Sequence, residues 1–400
     1  MQANGDVFVL AATGRRCARA EAMLKAQPGI EEDPWARLVL GREWTGDAST
    51  EGGPRGWAPL LYVCHSCFGS AALARELLER GADPNVSFVN EYGRMSALYG
   101  AAGVLHGAEL TRVLLEAGAN PDDGESLYHA TEAESPECLR LLLEHGATTS
   151  GTNALAHALD DERLEHVHLL LEHGADPNEG ALIAHAVRRG RGPECVRLLA
   201  EYGADLDRPG GETWRGDVPL RTPYQHAVLR GRGDLEETLA DLGASTEVDA
   251  QDLAVAAVAR GERPDTPFPD ALDPDAQEVL ILAALRGRLE LVVELVGPNF
   301  RGVVGGSPEG TILHHGAWMG DPEVVRKLLA HGADPNARSS AEFDTPLAWA
   351  ALASQHHELP GRDYVAVAEL LAAAGNPIEP RFVEAAEGPL LEWLEERSQD

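Results

Sequence analysis

Two adjacent histidines in TILHHGAWMGD (311–321) are the residues best placed by type for metal or acid–base chemistry, because imidazole ligates metals and titrates near neutrality. A second pair, His356 and His357, lies in SQHHELPGRD (354–363), and a loop folding back would gather all four rings. No two of these histidines have the three- or four-residue spacing that puts two ligands on one helix face, so no metal site is assigned; the fold-back is the one arrangement of His314, His315, His356 and His357 that would hold an ion. Cys64 and Cys67 form CHSC around His65. A redox pair belongs at a helix N-terminus after a strand, and a zinc site needs a second cysteine pair, so both thiols read as small buried residues. Asp160 and Asp161 put two carboxylates together, but on a helical repeat they read as a solvated face. No nucleophile elbow, zinc-protease, phosphate-loop or dinucleotide-binding phrase occurs. The sequence offers no catalytic residue and implies no cofactor.

The elements that hold these residues follow from a phrase that returns along the chain. LARELLERGADPN (73–85), LTRVLLEAGANPD (110–122), CLRLLLEHGATTS (138–150), HVHLLLEHGADPN (166–178), CVRLLAEYGADLD (195–207), LEETLADLGAS (235–245), VVRKLLAHGADPN (324–336) and the weaker VAELLAAAGNP (367–377) each place Leu or Val at helical spacing and end on Gly. Upstream of each lies a shorter apolar helix, as in APLLYVC (58–64), SALYGAA (96–102), TPYQHAV (222–228) and TPLAWAA (345–351). Helix, turn, helix, Gly stop and Asp-rich loop together resemble the ankyrin repeat, whose Thr-Pro-Leu-His-x-Ala phrase is met most nearly by TILHHGA and TPLAWAA. The resemblance covers roughly residues 55 to 380. More narrowly, GGPRGW, SALYGAAG and DDGESLYH resemble a group of bacterial ankyrin-repeat proteins of unassigned function, which implies a fold and a bacterial cytoplasm but no activity.

The resemblance predicts an all-α solenoid, an ankyrin-repeat array with short or missing β-hairpin fingers and terminal caps. The expected organisation is an N-terminal helical cap at 1–54, ankyrin repeats including short-period units at 55–247, degenerate repeats with a seam at 248–299, repeats at 300–376 and a C-terminal cap at 377–400. Successive stop glycines Gly118, Gly146, Gly174 and Gly203 lie 28, 28 and 29 residues apart, too close for fingers between 146 and 182. In the second copy from the end, His314 occupies the slot whose ring bonds the backbone of the adjacent loop, with His129, His157, His185 and His226 in that slot or the next.

Composition narrows the partners. With 33 basic against 65 acidic residues the formal charge is −32, which repels nucleic acid and anionic membrane surfaces. Five cysteines, three of them alone in helical patterns, do not look like a disulfide framework, and a cytoplasmic protein is expected. The N-terminal apolar run is too short for an export signal, and no 18-residue apolar stretch occurs.

By the resemblance, the ends of the first helices and the fingers would form a concave groove. Counting along each first helix places His65, Glu132, Asp160, Asp161, Arg188, Arg189, Arg230, Trp318 and Met319 there, with acids giving way to arginines and then to an aromatic beside Met. Aromatic finger tips follow at Trp44, Trp57, Phe88, Tyr92, Trp214, Phe300 and Phe343. Tyr99, His106, Glu125, Tyr128 and His129 come from adjacent repeats and would line a small polar pocket. The expected function is a non-catalytic scaffold gripping a protein or peptide through the groove; the alternative is an enzyme or small-molecule receptor with a His/Tyr/acid pocket between repeats.

Overall fold

Eight of the second helices close on the same pair of backbone bonds. At Gly81 the chain turns into the left-handed region (φ +92°), its amide donates to the Leu78 carbonyl, and the next amide, Ala82, reaches back to Leu77, both at 3.0 Å. No atom lies within 4 Å of where a Cβ would stand, so glycine is required by backbone conformation rather than by space. The same two bonds recur at 118–119, 146–147, 174–175, 203–204, 243–244, 332–333 and 375–376. They satisfy carbonyls that a helix end leaves unpaired and turn the chain toward the next repeat.

The computed structural model describes residues 2–211, 219–266, 268 and 271–397. The chain divides into two compact units, Met1–Asp205 and Leu206–Asp400. The division precedes 248–299, where the sequence suggested a seam; that stretch lies inside the second unit. Trp214 falls outside the described residues.

In the first unit, helices Gln2–Ala12, Cys17–Ala26 and Pro34–Val39 precede the repeats. Asp33 caps the last of these, accepting from the amides of Trp35 (2.9 Å) and Ala36 (3.0 Å). The repeats pair Pro59–Cys64 with Ala71–Glu79, Ala97–Tyr99 with Ala108–Glu116, Ser126–Ala130 with Glu137–Glu144, Ala154–Asp160 with Leu164–Glu172, and Leu182–Arg188 with Pro193–Glu201. First helices pack on first helices and second on second, so each apolar face is buried by its neighbours. Between the first two pairs stands an antiparallel finger, Ser87–Asn90 against Gly93–Ser96, in register Ser87 to Ser96. No strand is found from 146 to 182, as the short periods required.

The N-terminal helices are joined to the first repeat by bonds from Cys67 N to Ala12 O (3.0 Å) and Ser66 Oγ to Val39 O (2.6 Å), and by a disulfide between Cys17 and Cys67. This corrects the cysteine reading. Cys64, Cys138 and Cys195 are buried free thiols as expected, but Cys67 is bonded to a partner 50 residues upstream, a bond that persists in oxidising rather than reducing surroundings. Spacing within CHSC could not reveal it, because the partner stands in another element.

The second unit pairs Pro223–Leu229 with Gly233–Leu242, and Ile312–Trp318 with Pro322–Ala330, and Pro346–Ala353 with Tyr364–Ala373, closing with Arg381–Ala385 and Gly388–Arg397. Helix Ala250–Arg260 packs between Pro223–Leu229 and Pro274–Ala283 in the place of a first helix, and no helix is found among the described residues of 263–272. Pro274–Ala283 runs through a π turn into Leu289–Val296, with Gly287 in the left-handed region (φ +94°). A continuous apolar core extends from Leu229 to Leu394. Among the described residues no helix is long and apolar enough to cross a membrane.

Where the second helix is missing, an ionic cluster joins the neighbouring elements. Arg221, with a side chain 5% exposed, grips Asp252 at 2.7 and 2.8 Å and Asp273 at 2.6 Å, with Asp275 at 3.7 Å. Asp273 also caps Pro274–Ala283. Removing one partner from a buried ion cluster leaves uncompensated charge, so Arg221→Ala is expected to lower stability by about 3–5 kcal/mol, measured as a shift of the urea midpoint. Burial opposes ionisation of Asp273, but the bonds from Arg221 prevail and hold its carboxyl below the usual range. Its contribution is therefore present above the unfolded carboxylate pKa of about 3.9 and is lost as the pH falls through the lower folded value. Asp273→Asn should shallow the fall of Tm with acid below about pH 4; an unaltered acid limb would contradict the assignment.

Candidate functional site

Most of the histidines singled out in the sequence act as ties. His314 Nε2 faces the Asp344 carbonyl at 2.9 Å while its Nδ1 lies 2.8 Å from Thr311 Oγ1, completing the helix cap. His315 Nε2 lies 3.2 Å from Gly302 O, His226 Nε2 2.8 Å from Gly210 O, and His65 Nε2 2.9 Å from Ser96 O. His157 and His185 use side chains of the preceding repeat instead, Thr131 and Asp160, each at 2.7 Å. His357 Nδ1 lies 3.0 Å from Ser354 O, and among the described residues no three His, Cys, Asp or Glu side chains converge as a metal would require.

The charged positions of the expected groove are largely engaged within the chain. Asp160 holds both His185 and Arg189, the latter at 3.0 Å. Asp161 pairs with Arg163 at 3.5 Å, Glu132 with His129 at 2.7 Å, and Arg230 reaches His226 at 3.2 Å. Arg188 ends its helix with a buried Nε. The arginine run is thus less available than a count along the helices suggested. Counting finds which positions share a face, but it does not see the acid one repeat away. Trp318 and Met319 remain exposed, Met319 beside Leu285, Leu359 and Arg362 at a cavity of about 260 Å³.

The first unit holds a larger cavity, about 800 Å³, where the N-terminal helices, the finger and three first helices meet. Its wall is a row of rings. Trp57 stacks on Phe88 at 4.1 Å between centroids and lies 5.6 Å from His65; His65 lies 6.0 Å from Tyr99, and Tyr99 5.2 Å from His129. Tyr128 continues the row beside the cavity, stacked on His157 at 4.2 Å. Small residues permit this approach. A Cβ on Gly100 would stand 2.6 Å from the Cys64 carbonyl and 2.7 Å from the His65 ring, and one on Gly103 would strike His129 and Tyr99. These glycines belong to a π turn, Gly100–Val104, that follows Ala97–Tyr99 directly.

Two arginines complete the cavity. Arg15, in the left-handed region just after the first helix (φ +59°), donates from Nη2 to Tyr99 Oη at 3.1 Å. Arg55 bonds Thr13 Oγ1 through Nε (2.6 Å) and Leu10 O through Nη2 (3.1 Å), and its guanidinium lies 4.8 Å over Trp57. Glu91 and Glu125 line the same space, and Glu125 and Glu132 flank His129 at 3.4 and 2.7 Å. Of the expected polar pocket, Tyr99, Glu125 and His129 line the cavity together with His65. Tyr128 stands behind it, and His106 turns to Gly103 O at 3.1 Å. Arg15 was missed because its sequence neighbours carry no motif, and Arg55 because GGPRGW carried only a resemblance and no role; Leu10 and Thr13 at the end of the first helix hold the Arg55 guanidinium beside the rings.

Family models match two stretches of the chain, ankyrin repeats (3 copies) over residues 98–181 and a single ankyrin repeat over 310–340. Among solved structures, the chain is similar to the ankyrin repeat domain of human ASB11 at 22% identity, covering 60% of this chain and 98% of that one with a TM-score of 0.42. It is similar to the ankyrin repeat domain of Bcl-3 at 27% identity over 47% and 87% (TM-score 0.39), and to one from Acinetobacter baumannii AYE at 24% over 47% and 98% (TM-score 0.40). No curated protein matches.

Burial pushes His65 and His314 down to about 4, so both rings stay neutral in the folded protein at pH 6. In the unfolded chain they take a proton near pH 6.5, so each costs stability increasingly as the pH falls from about 6.5 toward 4. In a histidine-resolved NMR titration these two imidazoles should hold their neutral shifts down to about pH 5; titration near 6.5 would contradict the buried ties.

Proposed function

We propose that this ankyrin-repeat chain is a non-catalytic scaffold that binds a protein or peptide partner, using finger tips and first-helix ends as contacts. The observation that carries the reading is where exposed apolar side chains stand. In the first unit, Val89 and Tyr92 sit on the finger, Tyr92 being 81% exposed. In the second, Trp318, Met319 and Leu359 stand exposed around the end of helix Ile312–Trp318. Aromatic residues and Met are enriched at interfaces, so each of these two patches is a contact candidate in its own unit. The paired arginines add little, since an ion pair already satisfied within the chain must be broken before it can serve a partner.

A partner-binding role predicts saturable association that weakens at least tenfold in a Val89→Ser, Trp318→Ala, Met319→Ala variant with an unchanged Tm. The measurement is affinity capture from host lysate with both proteins in parallel, followed by titration of each protein retained by the unaltered chain. If the two proteins retain the same set with equal affinity, these side chains are not the contacts and the reading fails.

A further inference from the structure

The cavity of the first unit carries an inference independent of any macromolecular partner. In a chain with 65 acidic and 33 basic residues, most arginines lie against carboxylates. Arg15 and Arg55 do not: among the described residues neither forms an ion pair, although both line one cavity. Arg15 is held by Tyr99 alone, and Arg55 by two neutral oxygens and the face of Trp57, which orients the guanidinium without neutralising it. A planar guanidinium matches a carboxylate through two parallel hydrogen bonds. The rest of the wall is Trp57, Phe88 and Tyr99, which suit a flat ring. The volume, about 800 Å³, is that of a small-molecule site.

The acids at the rim decide the charge of the occupant. Glu91 and Glu125 line the same cavity, so a second negative charge on a ligand would meet them while the first meets the arginines. Phosphate monoesters and polyacidic peptides are disfavoured on that ground, and the formal charge of −32 opposes them at longer range.

We propose that this cavity is a binding site for a small aromatic monocarboxylate, with the carboxylate on Arg15 and Arg55 and the ring against Trp57, Phe88 and Tyr99. The test is isothermal titration calorimetry of the full chain with indole-3-acetate, its uncharged analogue indole-3-acetamide, and acetate. Indole-3-acetate is expected to bind with one site per chain, and the amide and acetate at least tenfold more weakly. Arg15→Gln, at an exposed position whose side chain bonds only Tyr99 among the described residues, should weaken indole-3-acetate tenfold or more with Tm unchanged. Phenyl phosphate should bind more weakly than indole-3-acetate. The proposal is overturned if the folded protein takes up no indole-3-acetate, if the amide or phenyl phosphate binds as tightly, or if Arg15→Gln binds like the unaltered chain. None of these outcomes bears on the finger and helix-end contacts, which the capture experiment tests with other residues.

Discussion

A helix that must stop and reverse within a few residues leaves carbonyls without partners, and the whole array depends on how that debt is met. Here the last turn of eight second helices is closed by amides folding back from a left-handed glycine and the residue after it, as at Gly81 and Ala82. Because the same closure recurs, consecutive helix pairs leave the turn in the same way and can lie face to face. Burial of Leu and Val between neighbours then supplies the stability, since an isolated pair cannot cover its apolar side.

Polar groups enter this packing only with partners. The histidines of the first helices bond the loops or side chains of adjoining repeats, and where a second helix is lacking, Arg221 gathers three carboxylates of the next elements. The two devices differ in cost. A neutral imidazole surrenders little hydration and needs two ordinary hydrogen bonds, whereas a buried guanidinium demands compensation by several charges in good geometry. The ion cluster stands where a second helix is missing from the repeat.

The first unit shows how a scaffold acquires a cavity. Glycines in the π turn let Cys64, His65 and Tyr99 approach closely, and the rings line up across three repeats. The N-terminal helices, tied by Cys17–Cys67 and by hydrogen bonds to the first repeat, then bring Arg15 to that row and, through Leu10 and Thr13, hold Arg55 against it. In a strongly acidic molecule, cations that meet rings rather than carboxylates are set apart from the rest of the surface.

The repeat phrase, the stop glycines and the missing fingers between 146 and 182 were all legible in the residue order, because they are local: a helix period, a left-handed turn and a loop length are properties of consecutive residues. His314 was legible for the same reason, since its slot in the repeat names its partner loop. The availability of Arg189 and Arg230, the bond from Cys17 to Cys67, and the meeting of Arg15 with Tyr99 across 84 positions were not. Those depend on which elements lie side by side once apolar faces are buried, and contacts between distant segments leave no periodic trace in the chain that makes them.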